Sequence, residues 1–154
     1  MRIDNSALEL GAATKKDLPA LIDLLDVLFA QEADFVPDAA KQRRALEAIL
    51  ADSRIGRIYV AREAKRVVGM VSTLYTVSTA EGGKAAWLED MVVLPECRGR
   101  GVGAALLAHV VVRAREEGCL RLTLLSDEDN ALAHAVYAAE GFQFSGMRTM
   151  RLKL

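Results

Sequence analysis

Apolar residues recur along the chain at two different periods, and the switch between them divides it. Residues 7–13 (Ala-Leu-Glu-Leu-Gly-Ala-Ala) read as a short first strand. Thr14 then caps a helix, with Asp17 three residues on and Pro19 in the first turn, where its missing N–H costs little. Leu18, Leu21, Ile22, Leu25, Leu28 and Phe29 follow the i, i+3, i+4, i+7 rhythm of one buried face, and Asp23 and Asp26 fall off it. Residues 32–37 break this helix. A second one starts at Pro37-Asp38 and runs to about Ala51, apolar at Leu46, Ile49 and Leu50, with Lys41, Arg43 and Arg44 facing water.

From Arg57 the period becomes two. Residues 57–62 predict a strand, 63–66 a tight polar turn, 67–77 its hairpin partner with Gly69 as a bulge, and 80–84 a second turn. Residues 85–93 return as the next strand, so three sequential strands form an antiparallel meander. A glycine-dense turn at 98–103 leads straight into a helix that reaches about Glu117 and ends at Gly118. The strand predicted at 120–125 is reached through one crossover helix and is therefore parallel to the 85–93 strand. Residues 126–130 cap a last helix ending at Gly141, and 142–154 predict one or two closing strands. The fold class is α/β, with a mixed sheet, mostly antiparallel, and helices on both faces.

Composition narrows the function classes. The 154 residues suit one domain spanning 1–154, and 52% hydrophobic with 27% charged residues is globular. A net charge of −1 gives no general attraction to nucleic acid. No apolar run reaches the roughly 18 residues of a membrane span, and Met1 to Asn5 lack a secretory leader pattern. A cytoplasmic protein is expected, with no membrane partner. Cys97 and Cys119 form no Cys-x-x-Cys pair, and His109 and His134 lack metal-ligand spacing, so no metal is expected.

The stretch from Leu88 to Ala108 carries the chemistry. Gly99, Gly101 and Gly103 let an anion approach the main chain, the following helix offers unpaired N–H groups and its positive dipole end, and Arg98 and Arg100 add charge. A phosphate or pyrophosphate is the ligand this predicts, although glycines at such a junction can also serve a tight turn alone. The triphosphatase loop is excluded, because Ala104 stands five residues after Gly99 and no Lys-Ser/Thr follows. The dinucleotide fingerprint fails at Ala104 or Leu106 and survives only as an alanine variant at Ala104. A nucleotide-binding oxidoreductase also wants an acidic residue about 20 positions past Gly99, where Cys119 and Leu120 sit.

What remains, Arg98-x-x-Gly101-x-Gly103 after a strand ending Val-Val-Leu-Pro, resembles the coenzyme A pyrophosphate loop of the GNAT superfamily of N-acetyltransferases. The element order is that of the same fold, with one parallel pair splayed around the coenzyme A site. Asn130, Tyr137 and Gly141-Phe142 look like the Asn-to-Tyr helix and Gly-Phe end of many members. Trp87-Leu88-Glu89-Asp90 is similar to the corresponding run of spermidine/spermine N-acetyltransferases. The likeness is close over 85–144 and rests on element order before that.

The resemblance implies an acetyltransferase that passes an acetyl group from acetyl-CoA to a primary amine by direct attack in a ternary complex. Arg98, Gly99, Arg100, Gly101, Val102, Gly103 and Ala104 would hold pyrophosphate. The main chain of Met91, Val92 and Val93 would hold pantetheine and polarise the thioester carbonyl, and Asn130 would hydrogen-bond the pantetheine arm. Tyr137 would protonate the leaving thiolate, a phenol being protonated at neutral pH. Glu89 is the expected base and Asp90, with Glu89, the expected contact to the amine. Strand alternation puts Glu89, Met91 and Val93 on one face and Asp90 on the other, barring a bulge.

Asp26, Glu32, Asp34, Glu89 and Asp90 would suit a polyamine, aminoglycoside or lysine acceptor. The sequence does not specify the oligomeric state, although a homodimer formed through the last strand or a helix face is common in the resembled family. A non-catalytic acyl-CoA-binding sensor is the competing class, against which the retention of both Glu89 and Tyr137 argues.

Overall fold

The computed structural model describes residues 7–154, so Met1 to Asn5 lie outside the described residues. Five strands form one mixed sheet in the order β1 (Leu8–Ala12), β2 (Gly56–Glu63), β3 (Arg66–Ser78), β4 (Gly83–Val93) and β5 (Leu122–Leu124). The first four are antiparallel neighbours, and β5 is parallel to β4. Helices α1 (Leu18–Gln31) and α2 (Ala39–Ala51) cover one face, while α3 (Val102–Glu116) covers the other and contacts α4 (Ala131–Ala139). β2 is buried on both sides because Ile58 and Val60 join the α1 core while Tyr59 and Ala61 join the α3 core.

Local chemistry explains the joints. Asp17 Oδ2 accepts from the Thr14 N–H at 2.8 Å, which closes the expected capping box. The same carboxylate takes a bidentate pair from Arg62 on β2, both contacts at 2.7 Å, and so ties the start of α1 to the sheet. Asp38 caps α2 by accepting from the Lys41 N–H at 3.1 Å. The β2–β3 turn, Ala64-Lys65, has φ of 46° and 69°, the geometry of a primed hairpin turn. A register shift between Ala61 and Arg62 leaves Val68 as the extra residue, beside the predicted bulge at Gly69.

Two expectations need correction. Residues 142–154 form no strand, although their apolar alternation predicts one or two. Phe144, Met147, Met150, Leu152 and Leu154 are each between 83% and 110% exposed, so the alternating face is left uncovered by the described residues. A strand needs both a ladder neighbour and a covered face, and this segment instead reaches the α1–α2 connection through Arg151, 3.1 Å from Asp34.

The second correction concerns β4. Ser72 faces Glu89 and Met70 faces Val92, so Val71 alone opposes both Asp90 and Met91. This is a bulge, with Asp90 at φ 52°. The extra residue resets the alternation. Leu88, Met91 and Val93 lie with the α3 core, and Glu89 shares the α1 face with Val92 instead of with Met91.

Candidate active site

The glycine turn has the form expected of an anion loop. Gly99 and Gly101 sit at φ 73° and 85°, and a side chain at either would enter open space. Gly101 is the N-cap of α3, and the first amide bonded within the helix is that of Ala105, to the Gly101 carbonyl at 3.0 Å. The amides of Val102, Gly103 and Ala104 therefore have no helical acceptor and point out of the positive end of α3. A Cβ on Gly103 would lie 3.6 Å from Met91 and 3.8 Å from Val93, so this turn of α3 is seated directly on the end of β4.

The two arginines are less free than their sequence position implies. Arg98 donates through Nε to the Val93 carbonyl at 3.0 Å, and with the Gln31 carboxamide oxygen turned toward it, Nη1 and Nη2 donate at 3.0 and 2.8 Å. Arg100 pairs with Glu63 on β2 at 3.0 Å. Both add positive potential to the loop, yet their forks are already engaged. Gln31 and Glu63 carry no motif that marks them as partners.

Beyond the loop, β4 and β5 separate. Their pairing covers only Ala86 to Leu88 against Leu122 to Leu124, so among the described residues β4 has no strand neighbour on the β5 side from Glu89 onward. The main chain of Met91, Val92 and Val93 thus borders an opening in the sheet, one end of which meets the glycine turn. Val92 is buried, while Met91 and Val93 are half-buried. Such an edge, with an adjacent helix N-terminus and glycines lacking side chains, fits a long thiol cofactor ending in a pyrophosphate.

α4 follows β5 in the chain and packs on α3. Asn130 caps it by accepting from the Ala133 N–H at 3.3 Å, which leaves the side-chain NH2 free to donate. Tyr137 packs against the α3 core and meets Phe142 edge-on, with ring centroids 5.9 Å apart. Burial raises the Tyr137 phenol above its ordinary value, so it is protonated at neutral pH. Gly141, at φ 105°, ends the helix as the sequence predicts.

The acidic residues are sorted by tertiary structure. Burial, reinforced by the Glu89 and Glu32 carboxylates, raises Asp90 to about 6. Glu32, just past α1, is raised by burial and by Asp127, Asp34 and Glu89, with Arg151 opposing. Glu89 itself is exposed. Asp26 does not join this group, because its carboxylate accepts from Gln42 Nε2 at 2.9 Å. Asp34 is engaged by Arg151. Asp127, absent from the sequence-based set, enters from the β5–α4 loop.

The sequence matches the model of the acetyltransferase (GNAT) family over residues 21–142, and the chain belongs to that family. Its members are acetyl-CoA-dependent N-acetyltransferases, and this chain is an enzyme of that class. Aminoglycoside N(6')-acetyltransferase type 1 of Stenotrophomonas maltophilia is 34% identical over 111 residues, which cover 70% of this chain and 72% of that protein. Glucosamine 6-phosphate N-acetyltransferase of Trypanosoma brucei brucei is 29% identical over 153 residues, 96% of each chain. An integron cassette protein from the Cole Harbour salt marsh metagenome superposes with a TM-score of 0.83 at 29% identity, covering 94% of this chain and 90% of that one.

Proposed function

We propose that this enzyme acetylates a primary amine on a cationic small molecule, by direct attack in a ternary complex with acetyl-CoA. The observation that carries this reading is the grouping of Asp90, Glu89 and Glu32 beside the bulge of β4, one strand end away from the glycine loop. Three neighbouring carboxylates favour a cation over a phosphorylated amine, because like charges brought together in a half-buried site repel. The named relatives include acceptors of both kinds, an aminoglycoside and a sugar phosphate.

Acetyl-CoA supplies an acetyl group activated as a thioester. The amides of Val102, Gly103 and Ala104, with the main chain at Gly99 and Gly101, hold the pyrophosphate, and Arg98 and Arg100 contribute potential. Met91, Val92 and Val93 offer main-chain groups to the pantetheine arm, and one N–H there polarises the thioester carbonyl, a role in which a lost donor costs about 3 kcal/mol. Asn130 donates to the same arm.

Asp90 takes the proton of the attacking amine. This moves the role of base from Glu89, the choice made from sequence, to its neighbour. A group with a pKa of about 6 is ionised at neutral pH and still basic enough to accept a proton. Glu89, exposed beside it, draws in and orients the cation. Tyr137 returns a proton to the departing sulfur.

The test is calorimetric titration with acetyl-CoA, followed by thiol-release assays on spermidine, an aminoglycoside and glucosamine 6-phosphate. Micromolar acetyl-CoA binding with release on a cationic amine is the expected result. Release on glucosamine 6-phosphate alone would overturn the acceptor class, and tight binding without release from any amine would favour the sensor reading. Tyr137→Phe separates these further, since an enzyme loses turnover while keeping coenzyme A affinity.

A further inference from the structure

Ser72 sits in the middle of β3 with 1% of its surface exposed, one of three buried hydroxyls of that strand with Thr73 and Ser78, beside the apolar Val67, Val68, Met70 and Val71. Its Oγ donates to the main-chain carbonyl of Glu89 at 3.1 Å. That carbonyl belongs to the peptide plane joining Glu89 to Asp90, and the tilt of this plane defines φ at Asp90. The bulge breaks the β3–β4 ladder between Met70 and Ser72, at the point where the hydroxyl reaches across.

From this geometry we infer that Ser72 is a positioning residue that locks the Glu89–Asp90 peptide and thereby holds the Asp90 carboxylate in its half-buried, left-handed setting. The inference deepens the reading of Asp90 as base and rests on it for its effect on catalysis. A non-glycine residue at φ 52° is strained by about 1 to 2 kcal/mol and persists only where its surroundings fix it. Aspartate tolerates this region better than most residues, which leaves the choice of setting to the partner of the preceding carbonyl. With Ser72 the carbonyl is satisfied inside the sheet. Without it, the carbonyl loses the side-chain donor that anchors the plane at the break in the ladder, and Asp90 turns toward water.

The experiment compares wild type, Ser72→Ala and Ser72→Cys, a near-isosteric variant that keeps a weak donor, with Asp90→Asn as reference. Carboxyl carbon NMR follows the titration of Asp90 in each full chain, assigned by the signal lost in Asp90→Asn, alongside kcat and KM. In Ser72→Ala the Asp90 midpoint falls by about one pH unit as the group regains solvent, kcat drops about tenfold, and the KM for acetyl-CoA stays within about twofold. Ser72→Cys lies between. A merely structural serine would lower thermal stability without moving the midpoint, and that result in both variants overturns the inference. If the midpoint moves but Asp90→Asn keeps wild-type turnover, the positioning role of Ser72 stands and the assignment of Asp90 as base falls.

Discussion

The two sides of β4 are built from different materials. On the α3 side, the turn at Gly99 to Gly103 is made of main chain, with two glycines at positive φ, open space before them and free amides at a helix start. On the α1 side, the chemistry belongs to side chains, Asp90, Glu89 and Glu32, whose properties come from burial and mutual repulsion. A site of main chain tolerates many substitutions as long as its shape survives. One built of side chains can be lost through a single functional group.

Asp90→Asn is the sharpest break on the acidic side. It lowers kcat about 100- to 1000-fold at neutral pH, the worth of a general base, as read by thiol release. The same substitution stabilises the protein. The folded-state pKa of Asp90 is raised above the unfolded value of 3.8, so its protonated form is favoured by folding and stability falls as pH rises from about 4 toward 6. Removing the ionisation recovers up to about 3 kcal/mol at pH 7, and a denaturant titration should show wild type gaining on the variant as the pH is lowered.

Gly101→Val attacks the main-chain side. Its effect combines about 1 to 2 kcal/mol of left-handed strain with a side chain in the space before the α3 amides. Acetyl-CoA affinity falls about 10- to 100-fold by calorimetry, with the Asp90 titration unmoved. Tyr137→Phe is milder, lowering kcat about tenfold while coenzyme A affinity stays near wild type.

The smallest functional effect belongs to Asp17→Ala, far from both sides. It leaves Arg62 without its bidentate partner and undoes the capping box of the 3-10 turn that leads into α1, costing about 2 kcal/mol of stability with kcat unchanged. Arg62 holds the Asp17 carboxyl below the usual range. Its contribution to stability is therefore complete above the unfolded carboxylate value and is lost as pH falls through the lowered one, which thermal melts across acid pH would show.

The same contrast explains what could be read from the chain. The glycine turn, its arginines, the Asn130 cap and the Tyr137 helix are local patterns, legible from spacing alone. So are the capping residues Thr14, Asp17 and Asp38, and the glycines that end α3 and α4. The β4 bulge has no such signature, because Leu-Glu-Asp-Met-Val-Val alternates equally well on paper, and only pairing with Met70 and Ser72 reveals the extra residue. The partners Gln31, Glu63, Ser72 and Asp127 are distant in sequence from the groups they affect, so no spacing announces them. In 142–154 the alternation is present but no burial follows it, which is why a strand pattern there yields no strand.

The most direct test of the acidic side is the pH dependence of kcat/KM for the amine in wild type and Asp90→Asn. The wild-type profile should fall on its acid side with a midpoint near pH 6, and that limb should vanish in the variant. An acid limb of the same midpoint in Asp90→Asn would place the proton acceptor elsewhere and contradict this account.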